Sequence, residues 1–517
     1  MTKPISFSSP EFNLVSSMTR SEGEVAPETP FRILVMGDFS GRTNRGNHSQ
    51  GVRLSQPRLL QVDRDNLDEV MARMGVELRL PLMGLEAPPT IISFSELDDF
   101  HPDRLYERLE VFRTLKEHVS SKPLATGTGA TMGITERATP FKSTVPLSQA
   151  DLASVIVGQS TGSLLDQVLE ETEGGGATAS TLHSSEWDRF LSGIVRPHLA
   201  PDTDKEEAAR NSTRDAAIGE LMRAILHYPD FQELEAVWRG IAFLTSRLET
   251  GEDVQLFLLD VTKSELADDL RDADNLGNSG LHPFLVEKTT QTPGAIPWAL
   301  LAGLFTFDGC REDVTLLAKL SRLASSAGAP FIAAAAERVV GCASLAATPD
   351  PRDWRSGSDA DAVTWMALRR LSTASYLGLV LPRFLLRLPY GAATDPLDSF
   401  DFEEMTSPRE HEQYLWGNPA LAVAFLLGQT FSEVGWGMRP GVIQDIENLP
   451  LHIYKKQGES VATPCAETLL TYDAADLLME WGLMPLVSFK DRDMARLARF
   501  SSLADPPSGL AGRWNTE

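Results

Sequence analysis

The chain has 517 residues, of which 42% are hydrophobic and 23% are charged, and its formal net charge is −25. This length exceeds what one hydrophobic core organises, so we expect about two to four domains. The acidic balance and the lack of a Lys/Arg-rich run exclude nucleic acid as an expected partner, because a phosphate backbone needs a basic face.

The cysteines and the apolar segments indicate a cytoplasmic protein. Cys310, Cys342 and Cys465 are widely spaced and form no CxxC pair, which fits a reducing compartment. The N-terminus lacks an apolar signal core. The longest apolar stretches, Ala295 to Phe307 and Ala420 to Leu427, are shorter than the roughly 18 to 20 residues of a membrane span. We therefore expect a cytoplasmic location and no membrane insertion.

The N-terminal part is predicted to start with a flexible arm, residues 1–30, followed by short alternating elements. The apolar run Phe31 to Met36 ends at Gly37-Asp38 and predicts a buried strand followed by a turn. The next elements are a helix at Asp65 to Met74 and strands at Val76 to Leu82 and Thr90 to Phe94.

Asp99 to Val119 predicts one long amphipathic helix, with Pro102 in the first turn and Asp99 near the cap. Such a helix must bury its apolar stripe against another element. The stripe consists of Leu105, Leu109, Phe112, Leu115 and Val119.

The composition changes in the middle of the chain. Residues 121–160 are rich in Gly, Thr, Ser and Ala and predict a linker, and residues 161–214 predict a helical lead-in. Between residues 215 and 500 strands alternate with helices, which is typical of an α/β core. Residues 501–517 are predicted to form a polar C-terminal tail. The strands expected in the core are Val254 to Val261, Pro330 to Ala335, Leu377 to Leu381, His452 to Tyr454 and Pro485 to Phe489, while Trp298 to Phe305 fits a strand or a buried helix.

No catalytic, cofactor or metal residue is predicted. The chain has no Walker A motif and no GxSxG elbow, and His411-Glu412 is not followed by a second histidine in register. None of the nine histidines pairs with another at i+3 or i+4. An acid-rich hydrolase remains an alternative, and it would require clustered carboxylates with raised pKa values.

The segment Gly37 to Arg42 follows a strand, so a phosphate-binding loop is one interpretation. It lacks the glycine spacing and the lysine of a P-loop. We favour a strand-ending turn in which glycine supplies a positive φ and Asp38 accepts bonds from nearby amides.

Four further residues are candidates for an assembly interface. Arg383 and Arg387 bracket an apolar segment and suit the carboxylates of a partner, although an internal ion pair is the alternative. Trp238 and Trp416 lie next to or near glycine, which is typical of tight packing or of an interface anchor.

Two long segments resemble known sheath proteins. PFRILVMGDFSGR at Pro30 to Arg42, with FSELDDFHPDRLYERLEVFRTLKEHV further along, resembles the small subunit of the type VI secretion contractile sheath (the TssB/VipA family). AILHYPDFQELEAVWRGIAFL at Ala224 to Leu244, followed by VQLFLLDVTKSELADDL, YLGLVLPRFLLRLPYG and HEQYLWGNPALA, resembles the large subunit (the TssC/VipB family). Both resemblances lie on one polypeptide.

The resemblance implies a small α/β sheath domain (residues 31–120) linked to a larger mixed-sheet α/β domain with flanking helices (residues 215–500). It implies a structural role in a tube that contracts around an inner tube, without catalysis. The implied partners are other sheath subunits or further copies of this chain, Hcp-like inner-tube hexamers, baseplate components and a ClpV-like AAA+ ATPase. In the family the helix that matches Asp99 to Val119 packs on the large subunit, so Leu105, Leu109, Phe112 and Leu115 are predicted interface residues.

The resemblance to the large subunit stops near Phe500, whereas that family continues into a further C-terminal region. This departure leaves a second interpretation open. In that interpretation the chain is a cap, adaptor or regulator that binds sheath or baseplate components without polymerising. Alternatively, a separate chain supplies the further region.

Overall fold

The computed structural model describes residues 26–46, 54, 58–82, 88–121, 206–271, 276–355, 359–406 and 410–514. The predicted linker and most of the predicted N-terminal arm and helical lead-in lie outside these residues. The predicted domain limits remain predictions. Within the described residues, no helix combines the length and the apolar character that crossing a bilayer requires.

The strands alternate with helices along most of the described chain. The strands are β1 (Phe31–Gly37), β2 (Leu59–Val62), β3 (Val76–Leu80), β4 (Thr90–Phe94), β5 (Val254–Asp260), β6 (Leu300–Phe307), β7 (Phe331–Ala335), β8 (Leu377–Leu381), β9 (Phe384–Leu385), β10 (Trp416–Gly417), β11 (Asp445–Ile446), β12 (Ile453–Lys456), β13 (Glu459–Ala462), β14 (Leu483–Ser488) and β15 (Ala495–Leu497). The α-helices are α1 (Leu67–Met74), α2 (Pro102–Arg108), α3 (Glu110–Ser121), α4 (Glu206–Leu226), α5 (Pro229–Arg247), α6 (Lys263–Arg271), α7 (Arg311–Ala327), α8 (Asp359–Arg369), α9 (Ala420–Val434) and α10 (Tyr472–Glu480). A π-helix spans Pro283–Gln291.

Nine strands form one mixed sheet in the order β11-β15-β14-β8-β7-β6-β1-β5-β2. The six central strands from β14 to β5 are parallel, and the strands at both edges are antiparallel to their neighbours. The pairs β3-β4, β9-β10 and β12-β13 form separate two-stranded sheets. The predicted α/β class with a large mixed sheet is confirmed.

The N-terminal strand β1 lies inside this sheet, between β5 and β6. All seven of its residues pair in parallel with β5, and four of them also pair with β6. The small-subunit-like and large-subunit-like regions therefore share one sheet, where the sequence alone suggested two linked domains. Strand partners far apart in the chain are set by tertiary packing, which local periodicity does not reveal.

The side chains of β1 alternate between two apolar layers, as the two-residue period of a strand requires. Ile33 and Val35 belong to the cluster that also contains residues of α5 and α9. Leu34 and Met36 belong to the cluster on the other face, which contains residues of α7. Helices thus cover the sheet on both sides, which explains the continuous apolar run of β1.

The predicted helix Asp99 to Val119 is interrupted, which corrects that prediction. A short 3₁₀ turn spans Leu97–Phe100, and α2 and α3 are separated by Leu109, whose backbone is extended. Pro102 does start α2, but its cap is His101, whose ring accepts a bond from the Asp103 amide. The i+3 and i+4 spacing continues through the break, so periodicity does not reveal it.

Residues 501–514, which we call the C-terminal strap, cross the amino-terminal ends of several sheet strands. Leu503, Leu510 and Trp514 are buried. The Leu503 amide donates to the Leu377 carbonyl at the start of β8 over 2.8 Å, and the Trp514 ring stacks on Phe31 of β1. The polar composition of this segment predicted a tail, because its few apolar side chains are separated by polar and turn-forming residues.

Candidate assembly interface

The turn after β1 is held by a carboxylate at the end of β5. The Phe39 and Ser40 amides donate to Asp260 Oδ1 over 2.9 and 3.2 Å, and Ser40 Oγ donates to Oδ2 over 2.7 Å. Burial raises the pKa of Asp260, and the neighbouring Arg42 opposes that shift. Three hydrogen bonds on one carboxylate fix where the chain leaves the sheet.

Arg42 extends this contact to α6. Its guanidinium donates to the Asp260 carbonyl over 3.0 Å and to Glu265 Oε2 over 2.5 Å. Asp38 accepts from the Arg42 and Thr43 amides over 2.8 and 2.7 Å, which closes the turn on itself. These contacts support the strand-ending turn predicted from the sequence.

Two further residues make the turn specific. Gly41 has a φ of +74°, and a Cβ there would lie 2.5 Å from the Glu77 carbonyl oxygen, so only glycine fits. Trp238 of α5 is fully buried, and its indole donates to the Phe39 carbonyl over 2.9 Å. The tryptophan predicted as an interface residue thus joins the large-subunit-like helix to the small-subunit-like turn.

An aromatic cluster continues this contact towards the β3-β4 hairpin. Phe94 and Phe100 stack with ring centroids 4.2 Å apart, and Phe231 of α5 meets both rings edge-on at 6.0 and 5.6 Å. Asn44 adds a polar contact to Asp230 over 2.6 Å. Edge-to-face and stacked rings are favoured arrangements of aromatic quadrupoles, so this cluster has a defined geometry.

The four predicted interface leucine and phenylalanine residues of the α2-α3 region are buried inside the chain. They are Leu105, Leu109, Phe112 and Leu115. Their apolar cluster also contains residues of α4 and α5, and α3 packs on α4. Their predicted role as contacts between the two parts agrees with this placement, and a role between separate subunits remains a prediction.

The segment 398–402 closes over α2. The Asp103 carboxylate accepts from the Asp398 and Ser399 amides, each over 3.1 Å. The Tyr106 ring lies 4.9 Å from the Phe400 ring. Polar and aromatic contacts thus join the small-subunit-like helix to a loop of the large-subunit-like part.

Arg387 lies in a buried ion-pair network within this chain. It forms bonds of 2.8 and 3.2 Å to Glu235 of α5 and of 2.7 and 3.1 Å to Glu404. Arg239 binds Glu235 over 2.6 Å and the Tyr390 hydroxyl over 2.8 Å. Both carboxylates are at most 1% exposed, and such charges are tolerated only when paired.

The network sets the protonation states of Glu404 and Tyr390. Burial raises the pKa of Glu404, but the charge of Arg387, the nearby His227 ring at 3.6 Å, and hydrogen bonds from Arg387 and the Tyr390 amide lower it to about 2. Burial raises the pKa of Tyr390 to about 12. Glu404 is therefore ionised and Tyr390 is neutral at pH 7, which argues against proton transfer by either group.

Arg383 and Trp416 lie at a second ion-pair cluster. Arg383 donates to Glu467 Oε1 over 2.8 Å and to Glu412 over 3.1 Å. Trp416 stacks on His411 at 4.8 Å and donates to its carbonyl. The two arginines predicted as partner-binding residues thus have carboxylate partners within the chain, and their contact with another subunit remains a prediction.

Two groups of side chains in the described part of the chain have metal-ligand chemistry. They are Asp308, Cys310, Asp313 and His411, Glu412, Glu467. In each group a cationic side chain already binds a carboxylate, namely Lys263 on Asp313 at 2.6 Å and Arg383 on Glu467. Burial and the neighbouring Asp308 raise the pKa of Cys310 to about 11, so its thiol is protonated at neutral pH.

The comparisons with known proteins agree with this arrangement. A family model described as "EvpB/VC_A0108, tail sheath N-terminal domain" (VipB) matches residues 211–504, more than half of the chain. The chain belongs to the tail sheath family. A second model, "Type VI secretion system, VipA, VC_A0107 or Hcp2", matches residues 12–121. The predicted fusion of small and large sheath segments on one polypeptide is thereby confirmed.

A curated relative of this sheath chain is the type VI secretion system sheath protein TssC1 of Pseudomonas aeruginosa PAO1. It is 32% identical over 299 residues, which are 56% of this chain and 60% of the relative. The chain therefore spans less than two thirds of the length of that relative.

The sequence did not single out the carboxylates that hold the interface together. Asp260, Glu235, Glu404 and Glu467 were four among 72 acidic residues. Of these four, only Asp260 has a position that the sequence marks: it is the last residue of the buried strand β5, and Asp38 directly follows β1 in a similar way. The other three are recognisable only once the fold brings arginines to them.

Proposed function

We propose that this chain is a structural subunit of a type VI secretion sheath or of a related contractile system. The observation that carries the proposal is the position of β1. The VipA-like strand lies in the interior of the VipB-like sheet, so one chain contains the small and large components already joined. The name of the TssC1 relative, a sheath protein, supports the same role.

In this role the chain assembles with further copies of itself or with other sheath subunits into a helical or ring assembly in the cytoplasm. The resemblance supports an Hcp-like inner tube, baseplate components and a ClpV-like ATPase as further partners. Fusion fixes the ratio of the two components at one to one. It also makes their pairing intramolecular, which raises their effective concentration.

The role is non-enzymatic. Among the described residues, Glu235 and Glu404 are the most deeply buried carboxylates, and both bind arginines with good geometry. The pKa of Glu404 is lowered to about 2, far from neutral pH. General acid or base catalysis favours a pKa near the working pH, and the network moves Glu404 away from it. The turn after β1 is held by hydrogen bonds from its backbone amides to the carboxylates of Asp260 and Asp38, so these two charges stabilise the structure.

Negative-stain microscopy of the purified chain tests the proposal, both alone and mixed with the products of neighbouring genes. We expect tubes, rings or another defined polymer in at least one mixture. Binding to true sheath subunits that inhibits their polymerisation at substoichiometric amounts would instead identify a cap or regulator. A chain that forms no assembly and binds no sheath or baseplate component would contradict the proposal.

A further inference from the structure

The sheet holds β1 in a slot with strands on both sides. The amides and carbonyls of β1 pair with β5 along its whole length and with β6 along part of it. Phe31, Ile33, Leu34, Val35 and Met36 are at most 1% exposed. An interior strand of this kind has no free edge through which a competing strand could begin to pair.

We propose that this slot is closed to any small-subunit segment supplied from outside, because the N-terminal segment fills it in cis and the C-terminal strap locks it. The chain then does not take a separate small sheath subunit into this slot and does not exchange β1 with other copies. This inference rests on the proposed sheath role in one respect only, because that role identifies the excluded partner as a small sheath subunit.

The small-subunit-like and large-subunit-like parts are covalently connected, through residues 122–205 between α3 and α4. A covalent connection makes the pairing of the two parts intramolecular, so it does not depend on the concentration of the chain. A separate small subunit must instead reach the slot by diffusion, and it competes only in proportion to its own concentration.

The release of β1 from the slot is slow. Release of β1 breaks the hydrogen bonds to both neighbouring strands and exposes side chains in both apolar layers. Openings of this extent belong to the slowest class of native-state motions, close to global unfolding. A competitor therefore has no low-energy open state to bind.

The C-terminal strap holds one end of the slot. The Arg513 guanidinium donates to the Trp298 carbonyl over 3.1 Å and to the Ala327 carbonyl over 2.8 Å, next to the starts of β6 and β7. Trp514 then stacks on Phe31 at the start of β1, with ring centroids 6.4 Å apart. The strap thus holds the amino-terminal end of the slot, where β1 would otherwise begin to leave.

A segment-exchange experiment tests the proposal on the full chain. A protease site is inserted between residues 122 and 205 of isotopically labelled chain, which is cut and mixed with an excess of uncut, unlabelled, tagged chain. The labelled segment has the same sequence as the segment that it would replace. A negative result therefore cannot arise because the labelled segment does not fit the slot. We expect any labelled N-terminal segment that copurifies with the tagged chain to be matched by an equal amount of labelled C-terminal fragment, because cut chains that join an assembly keep both parts. Labelled segment that equilibrates onto uncut chains would overturn the proposal.

The double variant Arg513→Ala/Trp514→Ala tests the lock. When cut, it is expected to release its N-terminal segment at least about tenfold faster than the cut chain with the native strap, a loss of about 1.4 kcal/mol in the barrier. Equal release rates would show that the strap does not hold the N-terminal segment in place. Microscopy of the uncut chain measures assembly separately, so failure here is distinguishable from failure of the proposed sheath role.

Discussion

Single carboxylates hold the joint between the two sheath segments, and Asp260 is the clearest of them. Its two oxygens accept three bonds from the turn after β1. No pattern around Asp260 distinguishes it from other strand-ending acids, since its partners lie more than 200 residues away along the chain. Contacts between residues this far apart along the chain cannot be predicted from the local sequence.

Replacement of Asp260 by alanine is expected to destabilise the fold by about 2 to 3 kcal/mol, because the turn amides lose a charged acceptor in a half-buried site. Asp260→Asn, which keeps an acceptor, should cost less. Chemical denaturation measures both. The matched control is Asp268→Ala, which removes an exposed ion pair with Arg271 and should cost under about 1 kcal/mol. Equal effects of Asp260→Ala and the control would contradict the role of Asp260.

The Arg387 network makes a prediction about acid stability. The pKa of Glu404 is lower in the folded chain, at about 2, than its ordinary value of 4.5. A carboxyl with a lowered pKa stabilises the fold at neutral pH, and this contribution is lost as the pH falls from about 4.5 through about 2. The full contribution is about 3 kcal/mol. Urea unfolding at pH 6 and pH 3 should therefore differ less in Glu404→Gln than in the native chain.

The exposed Glu459→Gln variant is the control for that titration, because Glu459 lies in the solvent-facing β12-β13 hairpin. Its pH dependence should match that of the native chain. An unchanged pH dependence in Glu404→Gln would show that the network does not stabilise the fold.

At the scale of elements, the sequence predicted strands well and their partners poorly. β1, β4, β5, β7 and β8 lie within one or two residues of their predicted bounds. Apolar runs ending at Gly, Asp or Pro carry that information locally. The position of β1 between β5 and β6 depends on packing across the whole sheet. The edge strand β2 was not predicted because it has only four residues.

The α2-α3 region shows the same limit in a helix. Leu105, Leu109, Phe112 and Leu115 of its predicted apolar stripe are buried, but the extended backbone at Leu109, which divides the helix, was not predicted. Phe112→Ala should destabilise the chain by about 3 to 5 kcal/mol, because Phe112 is fully buried and its removal leaves a cavity. Arg113→Ala on the exposed side of α3 is the control. Thermal unfolding distinguishes the two variants, and a small effect of Phe112→Ala would place this helix outside the core.

At the scale of the whole molecule, the fused segments form one structural unit. β1 lies inside the sheet as the third strand from the β2 edge, and α2 and α3 pack on the large-subunit-like part. The strap extends from beyond β15 back to β1. The family resemblance predicted that the two parts meet. It did not predict that they share a sheet, because separate subunits and fused segments give the same local sequence signal.

Hydrogen–deuterium exchange of the full chain tests this shared sheet most directly. The amides of β1, Phe31–Gly37, are compared with those of β7, Phe331–Ala335, which lie two strands away. Strands that open only by global unfolding exchange together. We predict equal protection for β1 and β7. Exchange of β1 at the rate of an unstructured peptide, while β7 stays protected, would contradict the account.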